Sequence, residues 1–106
     1  MMALGAELVA DDRVCLSRTN DSILASPPAA IRGLVEARGV GLLRADAVSS
    51  APVSVIIDMD RQETERLPPI RTMQLLGLTL PLLLRVDAPY FPAALLQYLL
   101  AGRRDE

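Results

Sequence analysis

A mixed α/β fold follows from three features of the sequence. Short apolar runs, among them residues 8–10 and the β-branched residues 52–58, have the length and composition of buried strands. Glycines, prolines and the cluster Thr19-Asn20-Asp21-Ser22 separate these runs at turn positions. The last segment differs in period, because Phe91, Ala94, Leu95, Tyr98 and Leu99 recur at the spacing of one helical face.

The opening residues 1–6 read as the last turn of a helix with Gly5 as its stop. Residues 8–10 then form a strand, and Val14-Cys15-Leu16 its continuation or a second short strand. Residues 19–22 turn the chain back, and Ile23-Leu24-Ala25 returns as the other half of a hairpin. Ser26-Pro27-Pro28 ends that hairpin, with Ser26 placed to cap a helix through Ala29, Ala30 and Ile31 towards Leu34. At Arg38-Gly39-Val40-Gly41 the glycines permit backbone conformations or close approaches closed to larger residues.

Residues 52–58 are expected to be a central strand, and residues 58–66 a charged surface connection that Pro68-Pro69 keeps from becoming helical. Residues 75–86 read as a turn followed by a strand, with Pro81 arguing for an edge rather than a central place. Pro92 suits the first turn of the tail helix, and Gly102 with Arg103-Arg104 suits its end. The apolar stripe of that helix packs on its own domain.

A chain of 106 residues, 51% hydrophobic, makes one domain over residues 1–106. Its net charge of −2 gives no basic face for nucleic acid. One cysteine and no histidine leave neither an internal disulfide nor a Cys/His zinc cluster, and reducing cytoplasm is the expected compartment. The longest apolar run, residues 75–84, is too short and too interrupted to cross a bilayer core of about 30 Å, so no membrane partner is expected.

The chemistry-bearing stretch is Leu8-Val9-Ala10-Asp11-Asp12-Arg13-Val14, an apolar run that ends in paired carboxylates. Adjacent carboxylates repel, so the pair is either solvated in an ordinary turn or relieved by a cation or a shared proton. Magnesium is a suitable cation, since it takes one or two carboxylates together with phosphate oxygens and water. A second stretch, Val35-Glu36-Ala37-Arg38-Gly39-Val40-Gly41-Leu42, places Glu36 and Arg38 on one face if the backbone is extended. That face either holds a metal ligand beside a phosphate-binding cation or is a solvated pair of little energetic weight. Arg66, in Glu65-Arg66-Leu67-Pro68, is either a solvated charge on an acidic loop or a group that faces an anion.

These stretches together resemble the catalytic core of the HPr kinase/phosphorylase family, which phosphorylates and dephosphorylates a serine of the phosphocarrier protein HPr. The resemblance runs from about Leu4 to Val86 and rests on two separate motifs in the right order, with Glu65-Arg66-Leu67-Pro68 similar to the short form of the family. It implies a partial P-loop kinase domain, similar to HPr kinase and PEP carboxykinase, without its N-terminal strand and phosphate loop. Family members carry G-x-x-x-x-G-K-[ST] before the helix that leads into the first motif. This chain is expected to begin inside that helix, and all 11 of its cations are arginine, with no lysine. A second departure is Arg85-Val86-Asp87-Ala88-Pro89, which stands where many members have an arginine-rich loop implicated in the reverse reaction.

By that resemblance ATP and Mg2+ are the cofactors and HPr the partner, and the chain joins a homo-oligomer, hexameric in the family. Asp12 takes the proton of the acceptor serine and Asp11 supports it at the cofactor beside Arg38 and Gly39. Glu36 helps to hold magnesium, and Arg66 steadies charge on the phosphoryl group. The alternative is a non-catalytic remnant or oligomerising module of the same fold, which the missing phosphate loop favours.

Overall fold

The structure, a computed structural model, describes residues 2, 5–45 and 47–104. The chain divides into two compact units, Met2–Val53 and the segment from Ser54 onward.

In the first unit, β1 (Cys15–Thr19) and β2 (Ser22–Ser26) form the expected antiparallel hairpin, in register from Cys15 opposite Ser26 to Thr19 opposite Ser22. Its two-residue turn works because Asn20 takes φ 51°, a left-handed conformation that asparagine tolerates better than most side chains. β5 (Ala51–Pro52) adds to the far side of β2, and Ile23, only 1% exposed, is the most buried side chain of the unit. Beyond β2 the expected α-helix is reduced to a three-residue 3₁₀ turn, Ala29–Ile31, with no side-chain cap from Ser26. The reason is local: Pro28 is extended and Gly33 takes φ 75°, which leaves too few residues between them for an α-helical turn to propagate. β3 (Leu34–Ala37) and β4 (Gly41–Arg44) then pair as a separate antiparallel hairpin. The strand expected at residues 8–10 is reduced to a single parallel bridge between Leu8 and Ala47, where the Val48 N–H donates to the Leu8 carbonyl at 2.8 Å. At the start of the chain Gly5 has φ 97° and donates to the Met2 carbonyl, while the rest of the expected helical turn lies partly outside the described residues.

In the second unit the order of strands reverses the sequence-based expectation. β6 (Ile56–Gln62) lies at the edge, β8 (Leu78–Arg85) at the centre and β7 (Thr72–Leu75) on the other side. β8 is parallel to β6 and antiparallel to β7, and it carries the two buried leucines Leu82 and Leu84. Pro81 is accommodated in this central strand by position. It stands opposite Thr72, the neighbouring Leu82 N–H reaches the Arg71 carbonyl at 2.9 Å, and the ladder to β6 begins only at Leu82. No ladder bond is therefore asked of the proline nitrogen. β7 and β8 are joined by Leu76-Gly77, both at positive φ, which is the conformation that tight two-residue hairpins require. The charged segment after Asp58, expected to be a loop, continues as strand to Gln62 because an edge strand needs apolar residues on one side only.

Helix α1 (Phe91–Ala101) follows, with Pro92 in its first turn. It stops at Gly102, whose φ of 72° lets its N–H reach the Tyr98 carbonyl at 2.8 Å. Arg103 donates to the Pro68 carbonyl at 2.7 Å and ties the helix end to the loop that carries Arg66. Among the described residues no helix is long and apolar enough to cross a membrane.

Candidate functional site

Asp11 and Glu36 are 25 residues apart in the chain and meet in the fold. The Glu36 backbone N–H donates to Asp11 Oδ2 at 2.8 Å. This bond fastens the Asp11-Asp12 turn to β3 and uses one oxygen of a half-buried carboxylate, leaving the other free for a further partner.

Asp12, the next residue, is exposed and adopts φ 63°, and the Arg13 N–H closes back to the Asp11 carbonyl at 2.6 Å. A three-residue turn with positive φ at its centre is a rare and strained conformation, costing a non-glycine residue roughly 1–2 kcal/mol. Such strain persists where surrounding structure over-determines it, and it clusters at functional sites. The carboxylate pair expected from sequence thus sits on a sharp turn rather than at the end of a regular strand.

Arg38 and Gly39 occupy the loop between β3 and β4, next to Glu36 in the chain, and all three are exposed. Arg38 lies beyond the last residue of β3, so the shared strand face expected for Glu36 and Arg38 is not formed: the hairpin must turn between Ala37 and Gly41. The turn needs Gly39 for its backbone angle, φ 83°, and not for a close approach, since a Cβ there would meet nothing within 4 Å.

Among the described residues no three acidic, histidine or cysteine side chains converge as a metal cage. Magnesium does not need one when phosphates and waters complete its shell, and the oxygen donors Asp11, Asp12 and Glu36 suit a hard cation. Neither a G-x-x-x-x-G-K-[ST] loop nor a lysine occurs in the 106 residues.

Arg66 belongs to the second unit. It lies in the loop after β6 and borders a cavity of about 520 Å³ between that loop, the end of β8 and helix α1. Two features of this region were not singled out in the sequence. Arg71 grips the Glu63 carboxylate through both oxygens at 3.1 Å, with the Glu63 side chain only 7% exposed. The Arg71 guanidinium, followed by the N–H groups of Glu65 and Thr64, holds this carboxyl below the usual glutamate range. Asp58 is likewise lowered, by the Asp60 N–H first and the Arg61 guanidinium next. Glu63 and Arg71 stand eight positions apart in a Pro-Pro loop between β6 and β7 that no helix or strand spans, so the pair carries no sequence signal.

No protein-family model matches this sequence, and no curated protein matches it. Among solved structures the chain is similar to the Hpr(Ser) kinase/phosphatase from Coxiella burnetii, with a TM-score of 0.74 and 23% sequence identity, over 93% of this chain and 68% of that one. The mixed sheets and single helix described above are therefore a fold similar to that of an HPr kinase/phosphatase.

Proposed function

We propose that this chain is the catalytic part of a cytoplasmic protein-serine kinase, with the phosphocarrier HPr as acceptor and ATP with magnesium as phosphoryl source. The observation that carries this reading is the strained Asp12 turn, tied through Asp11 to Glu36 in a fold similar to an HPr kinase/phosphatase. Asp12 accepts the serine proton as phosphorus approaches the hydroxyl, and Asp11 holds the turn that presents it. Magnesium, when bound, neutralises phosphate charge, with Glu36 and the free oxygen of Asp11 as its protein donors. Arg38 offers a cation and Gly39 an unencumbered backbone to the nucleotide phosphates. Assembly into a homo-oligomer, and dephosphorylation of the same serine by the reverse use of Asp12, belong to this proposal as well.

A second reading is a non-catalytic interaction module of the same fold, which does not use Mg-ATP. Calorimetry with Mg-ATP separates the two in part. The chain as it stands should bind Mg-ATP far more weakly than micromolar, and micromolar affinity would show that the arginines and the Gly39 loop replace the missing cradle.

The decisive test is phosphotransfer to HPr serine across a magnesium titration, with the chain joined to a phosphate-loop segment. Asp12→Asn should abolish turnover and leave Mg-ATP binding intact, because asparagine tolerates the left-handed turn but cannot take the proton. Glu36→Gln should instead raise the magnesium requirement. Near wild-type turnover by Asp12→Asn would overturn the mechanism.

A further inference from the structure

The cavity beside helix α1 gathers an unusual share of the chain's chemistry. The protein has three aromatic residues, and all three, Tyr90, Phe91 and Tyr98, line this one cavity. Its volume of about 520 Å³ lies within the roughly 300–1,000 Å³ of small-molecule sites. Three charged residues border it, Glu63, Glu65 and Arg66, the last two exposed to solvent at its mouth. The first is already compensated by Arg71. Among the described residues neither the Arg66 guanidinium nor the Glu65 carboxylate has a hydrogen-bond or ion-pair partner.

The remaining charges decide the ligand class. A simple anion would be drawn to Arg66 but repelled by Glu65, and a simple cation the reverse. A molecule that carries both signs close together on an apolar body satisfies both. We infer that this cavity binds an α-amino acid with a planar, apolar side chain, its carboxylate on Arg66, its ammonium on Glu65 and its ring among Tyr90, Phe91 and Tyr98. The aromatic faces favour both the ring and the neighbouring ammonium.

The chain contains no tryptophan, so indole emission reports a bound ligand without background from the protein. Tryptophan, indole-3-propionate and tryptamine carry one ring with both charges, the negative one or the positive one. Titrated into the full chain, tryptophan should bind about tenfold more tightly than either analogue, as expected when each loses one charged hydrogen bond. Arg66→Gln should bring tryptophan down to the level of tryptamine, and Glu65→Gln to that of indole-3-propionate. Ala94→Phe, which fills the cavity from the helix side, should remove binding of all three. The inference fails if tryptophan does not bind at millimolar concentration, if either analogue binds as tightly, or if Ala94→Phe leaves binding unchanged. Because binding is read directly, loss of phosphotransfer in any assay leaves this outcome unaffected.

Discussion

Two antiparallel hairpins of this chain are built on the same local rules and end in opposite environments. β3–β4 and β7–β8 each turn within a few residues at glycines of positive φ. Yet all of β4 is exposed, with Leu42 at 70% and the loop residue Val40 at 74%, whereas β8 buries Leu82 and Leu84. The difference is a third strand. β6 lies against β8 and makes it the central strand of three, while β4 has β3 as its sole strand partner among the described residues. Pairing satisfies backbone hydrogen bonds, but burial needs a further layer. The exposed hairpin is also the one that carries Glu36, Arg38 and Gly39, so the candidate site stands on the less buried of the two.

The contrast breaks first in the core. Leu82→Ala or Leu84→Ala should cost about 2–5 kcal/mol in denaturant unfolding, since each leaves a cavity under the central strand. Should either cost less than a surface change, β8 is not the buried strand described. Glu63→Gln comes next and is read through pH. Glu63 has a folded pKa below its ordinary value of 4.5, so the stability it contributes is present above that value and lost as pH falls through the lower folded one. Melting temperatures followed from neutral pH down into this window should show wild type losing stability there and the variant losing less. Asp12→Gly should leave stability unchanged or raise it by up to about 1 kcal/mol by relieving the positive φ, while removing the carboxylate the proposed reaction needs. A clear loss of stability would mean that the turn is held by the side chain rather than strained by it. The smallest effect is expected on the exposed hairpin, where Leu42→Ser should change stability by no more than about 0.5 kcal/mol. A larger loss would show that this face is covered in solution.

Local features were legible because their causes are local. Asn20 in a two-residue turn, Gly77 in the turn before the strand of residues 78–85, Pro92 at a helix start and Gly102 at its end each limit the backbone at their own positions. The tail helix and the first hairpin accordingly stand where the residues place them. Ser26 and Pro28 gave the opposite lesson: a capping pattern was present, but Gly33 left no room for a helix to propagate. Of the candidate site, the residue types at positions 11, 12, 36, 38 and 39 were readable, while the strain at Asp12 and the loss of Arg38 from the strand face were not. Both come from where turns fall, and a shift of one residue there changes the face.

By itself the sequence determined the first hairpin's turn, the helix stop at Gly102, the apolar and charged stretches, the carboxylate pair and the absence of lysine, because each depends on neighbouring residues or on composition alone. Tertiary structure alone decided which strand is central, so that Pro81 sits inside a sheet and residues 56–62 at its edge. It also decided that Asp11 meets Glu36, that Glu63 meets Arg71 and that the loop carrying Arg66 forms a cavity with the aromatic face of helix α1. Those outcomes depend on contacts between residues far apart in the chain, where the competing arrangements have the same local propensities and differ only in what they bury and pair.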